Sequence, residues 1–119
     1  MNPRRGDVVL AWYPFASGKG SKRRPCVVVQ NDEDNGKIAN TIVVQITSVL
    51  LRRGDKSHVL VEAASAEGKA SGLLHDSLIS CNNVATLEKS LIDKPIGHLL
   101  PSTLDAINAS LKAALGLPP

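Results

Sequence analysis

Short runs rich in valine and isoleucine, separated by turn residues, constrain the fold of this chain more than any other feature. Strand-length runs occupy residues 7–12, 26–30, 40–47 and 58–62, and shorter strands are predicted at 77–81 and 83–86. Pro25 suits the first position of a strand, and Asn35-Gly36 suits a turn with positive φ. Many short strands at this spacing predict a small β-barrel or sandwich.

One helix is predicted at the C-terminal end. Leu104, Ile107, Leu111 and Leu115 recur at intervals of three and four residues, which is the pattern of one apolar helical face. Ser102 with Asp105 is typical of a capping box, and Gly116 followed by Pro118 is typical of a helix end. The apolar face could pack on the sheet or bury a dimer surface, and packing on the sheet is the default.

Length and composition limit the classes of protein to which the chain can belong. A chain of 119 residues fits one domain, 1–119, and a net charge of +3 fits an anionic partner without requiring one. The chain has only three aromatic residues, at 12, 13 and 15, so base-stacking platforms are confined to that segment. Without a signal-peptide pattern or a long apolar span, we expect a cytoplasmic protein.

Cysteine and histidine spacing gives no indication of a metal. Cys26 and Cys81 lie in separate apolar runs rather than in a C-x-x-C pair, so reduced, buried thiols are expected. His58, His75 and His98 lack the spacing of zinc ligands. We therefore predict neither a structural nor a catalytic metal, and no cofactor.

A basic segment beside a strand, and a hydroxyl pair at the end of the next one, mark the expected site. Residues 16–24 combine glycine, serine and basic residues, which predicts a flexible cationic loop, and Thr47-Ser48 follows a strand. Arginine and lysine at such a place suit a phosphate-bearing partner. Two alternatives stay open: the charges could simply solvate a loop, and Thr47 could bond only to its own backbone.

In order along the chain, several pieces resemble the MazF/PemK family of bacterial toxins. They are Arg5-Gly6-Asp7-Val8-Val9, Lys22-Arg23-Arg24-Pro25, Val29-Gln30-Asn31-Asp32, residues 43–48, Asp76-Ser77 and Thr86-Leu87-Glu88-Lys89. The resemblance implies a mainly β fold with α, a small SH3-like barrel closed by a C-terminal helix. It also implies a homodimer that cuts single-stranded RNA without metal and is inhibited by a cognate antitoxin, through an acidic and partly disordered segment.

The resemblance also assigns roles to individual positions. Arg24 corresponds to the family's catalytic arginine, Thr47 to its catalytic threonine, and Asn83 to a polar side chain that meets a base. Residues 17–23 correspond to a loop that covers the RNA, although this chain has Gly18-Lys19-Gly20-Ser21-Lys22 where many members have a Gly-Ser-Glu-Gln type of loop. The side chains expected to bind RNA are those of Lys19, Ser21, Lys22, Arg23, Ser48 and Asn83.

The chemistry of these side chains favours some roles over others. An arginine pKa above roughly 12 makes Arg24 a better stabiliser of phosphate charge than a proton carrier. A threonine hydroxyl is too weak an acid to serve unassisted as a base, so Thr47 needs help or only orients. His58 is the candidate for proton transfer, with an ordinary sheet-edge histidine as the alternative.

Two other functions compete with RNA cleavage. The chain could be a non-enzymatic toxin that binds a protein target such as DNA gyrase, because a related barrel is used in that way. It could also be a catalytically silent barrel that binds RNA, whose binding would weaken steeply with salt.

Overall fold

A computed structural model describes residues 2–119, which form one six-stranded sheet with helices packed around it. The strands are β1 (Asp7–Pro14), β2 (Ser21–Val28), β3 (Asn40–Thr47), β4 (His58–Val61), β5 (Ser77–Glu88) and β6 (Ile92–His98). The α-helices are α1 (Asp32–Asn35), α2 (Ala66–Ser71) and α3 (Pro101–Leu115), and a 3-10 turn, Lys89–Leu91, precedes β6. The mainly β class with a C-terminal helix is confirmed.

All strand pairs are antiparallel, in the order β4-β5-β3-β2-β1-β6. Among residues 2–119, β4 and β6 do not pair with each other, so the sheet keeps two free edges. The predicted class holds, but hydrogen bonding does not close the sheet into a barrel.

Alternation along the strands gives the sheet two apolar faces. The first face packs beneath α3, where Ile107 is fully buried, and it includes Val8, Val27, Val44 and Ile79. Buried residues on the second face are Val9, Ala11, Tyr13, Cys26, Val28, Val43, Leu87 and Ile92. Neither Cys26 nor Cys81 forms a disulfide and both are buried, as expected.

The end of β5 was predicted as two short strands, and it is one strand interrupted by a bulge. Val44 of β3 pairs with Val84, but the next residue, Gln45, pairs with Ser80, so three extra residues of β5 stand opposite this step. A bulge of this kind bends the strand and redirects its side chains. Here it projects Asn82 and Asn83, both exposed, beside Gln45.

The flexible loop predicted over residues 16–24 is wrong in its extent. Ser21 to Arg24 belong to β2 and pair with Pro14 to Ala11 of β1. The connection is a short hairpin turn in which Phe15 N–H donates to the Gly20 carbonyl at 3.1 Å. The charges of Ser21–Arg24 hid a strand whose exposed residues gain their structure from pairing with β1.

Helix α3 begins one turn earlier than the capping pattern indicated. Leu100 occupies the N-cap position and supplies no side-chain cap, and Pro101 opens the helix, so the predicted Ser102–Asp105 capping box is wrong. Gly116 ends the helix in the left-handed conformation, as predicted. Leu104, Ile107 and Leu111 contact the core, whereas Leu115 is exposed.

Three further elements differ from the prediction. The Asn35-Gly36 turn is the end of α1, capped by Asn31, and Gly36 has a negative φ. Residues expected as loop form α2, for which the Ser65 side chain accepts from Gly68 N–H at 3.0 Å. Strand β6 pairs with β1 and was not predicted, because its charges and proline disguise an edge strand.

Candidate active site

Arg24 and Thr47 lie on neighbouring strands and on the same face of the sheet. Strands β2 and β3 pair from Val28–Val43 to Cys26–Gln45 and then separate. Arg24 and Thr47 each lie two residues beyond the last pair, so both side chains share the face of Cys26 and Gln45. Both residues are half-buried, which limits their freedom without sealing them from a ligand.

Two adjoining hollows open on this face. The Arg24 hollow, of about 430 Å³, is lined by Arg24, Tyr13, Phe15 and their neighbours. The Thr47 hollow, of about 360 Å³, is lined by Thr47, His58, Arg52 and other residues of β3, β4 and β5. Gln45, Asn82 and Asn83 line both hollows, so these three amides form the ridge between them.

The Thr47 hydroxyl is oriented by its own backbone. Its Oγ1 accepts a hydrogen bond from Val49 N–H at 3.1 Å, which is the local bond that the structural alternative foresaw. A hydroxyl that accepts one such bond still has its proton to donate. Thr47 is therefore held in place and can give a hydrogen bond to a ligand in its hollow.

His58 lies on the wall of the Thr47 hollow. It opens β4 opposite Ser80, and its Nδ1 lies 3.0 Å from the Ser57 hydroxyl. Ser80 also pairs with Gln45, which places the histidine two strands away from β3 on the same face as Thr47. The structure thus brings His58 and Thr47 to one hollow.

Tyr13 fastens the bulge of β5 to β1. Its hydroxyl donates to the Asn83 carbonyl at 2.5 Å, and its ring is only 4% exposed. Burial, together with the nearby Cys26 thiol, raises the pKa of Tyr13 to about 12, although Arg24 acts in the opposite direction. Burial likewise raises the pKa of the Cys26 thiol to about 12, so this thiol is protonated and unreactive at neutral pH.

The other residues predicted to bind RNA surround the hollows without lining them. Lys19, Lys22 and Ser48 are exposed, and Ser21 pairs with Pro14. Arg23 points away from Arg24 along the strand and forms an ion pair with Asp93 of β6 at 2.7 Å. Of the predicted RNA-binding residues, only Asn83 lies in the hollows themselves.

Sequence reasoning missed Gln45 and Asn82. Gln45 is a polar residue within an apolar strand, at a position whose alternation matches Thr47, and this was the signal that could have identified it. Asn82 enters the site only because of the bulge, which the sequence pattern did not reveal.

The charge around the hollows suits an anion. Their lining includes Arg24, Arg52 and His58 and contains no aspartate or glutamate. Arg52 also lies 3.4 Å from Asp55 in an exposed pair, which contributes little to stability. A phosphate between Arg24 and Thr47 would meet a guanidinium and a hydroxyl donor with no opposing carboxylate.

Within residues 2–119, no three histidine, cysteine, aspartate or glutamate side chains are grouped so as to hold a metal ion. No helix of that part of the chain is long and apolar enough to cross a membrane.

Comparisons with known proteins agree on one family. A family model described as PemK-like, MazF-like toxin of type II toxin-antitoxin system matches residues 4–115. Endoribonuclease EndoA of Bacillus subtilis is 30% identical over 118 residues, which cover 98% of this chain and 97% of that protein. Endoribonuclease MazF of Staphylococcus saprophyticus is 30% identical over 115 residues, which cover 96% and 92%.

Solved structures show the same likeness. An endoribonuclease from a mycobacterial species superposes with a TM-score of 0.77 at 25% identity, covering 99% of this chain and 95% of that one. A mycobacterial endoribonuclease in complex with its cognate antitoxin gives a TM-score of 0.75 at 28% identity, covering 98% and 97%.

Proposed function

This chain belongs to the PemK-like, MazF-like toxin family of type II toxin-antitoxin systems and is an endoribonuclease, and we propose that Arg24 and Thr47 form its catalytic centre. The observation that carries the proposal is their position at the diverging ends of β2 and β3, on one face and beside hollows without a carboxylate. The substrate is single-stranded RNA, whose unpaired bases can enter the hollows.

The proposed reaction needs no metal. The 2′-hydroxyl of one nucleotide attacks the adjacent phosphorus, the bond to the 5′-oxygen breaks, and the products are a 2′,3′-cyclic phosphate and a free 5′-hydroxyl. Negative charge grows on the phosphoryl oxygens and on the leaving oxygen. Arg24 stabilises this charge through two N–H bonds, and Thr47 donates a further hydrogen bond or orients the attacking hydroxyl.

Proton transfer is assigned to His58. It lines the same hollow as Thr47, and the Ser57 hydroxyl contacts its Nδ1, which leaves Nε2 to face a ligand. Imidazole titrates in the range that general acid–base catalysis requires. Neither arginine nor threonine can fill that role alone.

Lys19, Ser21, Lys22 and Ser48 are proposed to hold the RNA backbone around the hollows. Lys19 and Lys22 supply exposed charge beside Arg24, and Arg23 must give up or share Asp93 in order to contribute. A cognate antitoxin is the second proposed partner, and an acidic, partly disordered segment would compete with RNA for the hollows. We propose a cytoplasmic homodimer, in which the exposed end of α3 is available for contact between subunits.

The decisive test is cleavage of single-stranded RNA in excess EDTA. Wild-type protein should cut, and kinase labelling of the new 5′-hydroxyl without phosphatase treatment should report the predicted chemistry. Arg24→Ala should lower the rate by about a hundred- to thousandfold, as expected for removal of one well-placed donor to the developing charge.

Arg53→Ala is the matched control, because it removes an exposed arginine that lines neither hollow. Cleavage by Arg24→Ala at the wild-type rate, with both variants folded, would rule out the assigned centre. No cleavage by the wild-type protein at any concentration would instead favour a protein target or simple RNA binding.

A further inference from the structure

The ridge between the two hollows carries three uncharged amides where the flanking walls carry cations. Gln45 lies at its centre, paired across β2 with Cys26 and across β5 with Ser80. Asn82 and Asn83 reach the same place because the bulge of β5 stands opposite Gln45. Amides contribute little to binding phosphate, so the ridge has a different chemistry from Arg24 and Arg52.

We propose that the Gln45 amide, assisted by Asn82, reads the edge of one RNA base next to the cut and makes that base an adenine. The inference rests on the proposed function, and it deepens that function by naming what determines sequence preference. Gln45 lines both hollows, so a base placed against it lies between the groups assigned to the scissile phosphate.

Hydrogen-bonding capacity is the first step towards this assignment. A glutamine side chain presents one acceptor beside donors, and glutamine or asparagine pairs with adenine through two bonds. Among residues 2–119, the Gln45 amide makes no side-chain hydrogen bond, whereas Gln30, the other glutamine, is fully engaged with Asn35 and Asn40. The Gln45 amide is therefore available to a ligand, and that of Gln30 is structural.

Stacking is the second step. Phe15 lines the Arg24 hollow together with Gln45, and 41% of its surface is exposed. Trp12 is also exposed, but it alternates with Ala11 and Tyr13 and so lies on the opposite face. Phe15 is thus the aromatic surface on which a base can stack while Gln45 bonds to its edge, and a purine offers the larger face.

Charge selects between the purines. Guanine presents two adjacent donors, which a carboxylate satisfies and a single amide oxygen does not. No aspartate or glutamate lines either hollow, so the second donor of guanine would be left without an acceptor. Adenine, with one donor beside one acceptor, matches the amide.

The experiment measures base preference rather than rate alone. Short RNAs with a randomised stretch are cut in EDTA, the products are sequenced, and kcat/KM is then compared for RNAs that differ at one base. Wild-type protein should prefer adenine at one position near the cut. Gln45→Ala should reduce that preference by roughly five- to a hundredfold, the discrimination expected from one bidentate contact.

Gln45→Glu is the sharper variant. A carboxylate accepts two bonds from guanine and only one from adenine, so the same position should shift towards guanine even if the added charge slows all cleavage. Asn82→Ala, at an exposed residue, should weaken the same position without disturbing the fold. Thr86→Ala, exposed on β5 but outside both hollows, should leave every preference unchanged.

A purely structural effect would lower cleavage of all sequences equally and would leave the ratios between bases intact. An unchanged preference profile in Gln45→Ala and Gln45→Glu, in protein that still cuts, would overturn the proposal and leave the proposed function standing. Absence of cleavage by the wild-type and Thr86→Ala proteins would overturn both.

Discussion

Ionisation of Tyr13 gives a direct measure of how tightly β1 is fastened to the bulge of β5. Tyr13 is the only tyrosine of the chain, so tyrosinate absorbance reports this residue alone. An unfolded tyrosine ionises near pH 10. Burial of the ring raises the pKa of Tyr13 to about 12 in the folded protein, because the phenolate would lose water and would meet the Cys26 thiol.

The raised pKa makes part of the folding stability depend on alkaline pH. Because the folded state keeps its proton where the unfolded state loses it, the Tyr13 contribution is complete below about pH 10 and is lost as pH rises towards 12. At 1.36 kcal/mol per pKa unit, a difference of about 2 units sets an upper limit of roughly 2.7 kcal/mol. Tyr13→Phe cannot ionise and lacks this loss.

At neutral pH the same variant has a different defect. It loses the hydrogen bond to the Asn83 carbonyl, which costs about 0.5–1.5 kcal/mol, towards the lower value because Asn83 is exposed and its carbonyl can bind water. We therefore expect wild-type protein to be the more stable near neutral pH. The difference should shrink, and then reverse, as pH rises above about 10.

Urea unfolding at a series of pH values measures both effects, with the fluorescence of Trp12, the only tryptophan, as the probe. Cys26 is common to both proteins, so its alkaline titration lowers both curves together. Tyrosinate absorbance that rises near pH 10 in folded protein would refute the reasoning. A constant difference in the free energy of unfolding across the alkaline range would refute it as well.

Other substitutions test the core, one turn and the centre. Ile107→Ala removes a fully buried side chain of α3 and should lower the free energy of unfolding by about 2–5 kcal/mol in urea, whereas exposed Leu115→Ala should change it little. Gly72→Ala places a Cβ 1.9 Å from the Ile96 carbonyl oxygen at a φ of +74°, and should cost about 2 kcal/mol or more in thermal unfolding, while Gly54→Ala, with open space around it, should cost less. Thr47→Val keeps the shape but removes the hydroxyl, and should reduce RNA cleavage by about tenfold or more with unchanged stability; full activity would show that Thr47 only ends its strand.

Central strands were predictable from the sequence and edge elements were not. Residues 40–47 form β3 as predicted, because β3 is paired on both sides and its apolar residues are buried on both faces. Strand β6 was missed because an edge strand tolerates Pro95 and the charges of Asp93 and Lys94. Helix α2 is short and made of small residues, and its end packs closely on β6, a tertiary contact that no local pattern reveals.

The site was predictable to the same extent as its strands. Arg24 and Thr47 flank predicted strands, and antiparallel pairing alone brings them to one face. Asn82 depends on a three-residue change of register in β5, which has no signature in its sequence. Arg23 was expected to bind RNA, but its partner Asp93 belongs to the unpredicted β6, so its ion pair could not be foreseen.

The bulge of β5 links the rate of cleavage to the choice of sequence. Arg24 and Thr47 lie on β2 and β3, whose positions are fixed by pairing below the Cys26–Gln45 step. Asn82 and Asn83 lie on a bulge that Tyr13 fastens to β1 through a single hydrogen bond. A substitution in the bulge can therefore alter which base meets Gln45 while the groups that contact the phosphate stay in place, whereas a shift of β2 or β3 moves both together.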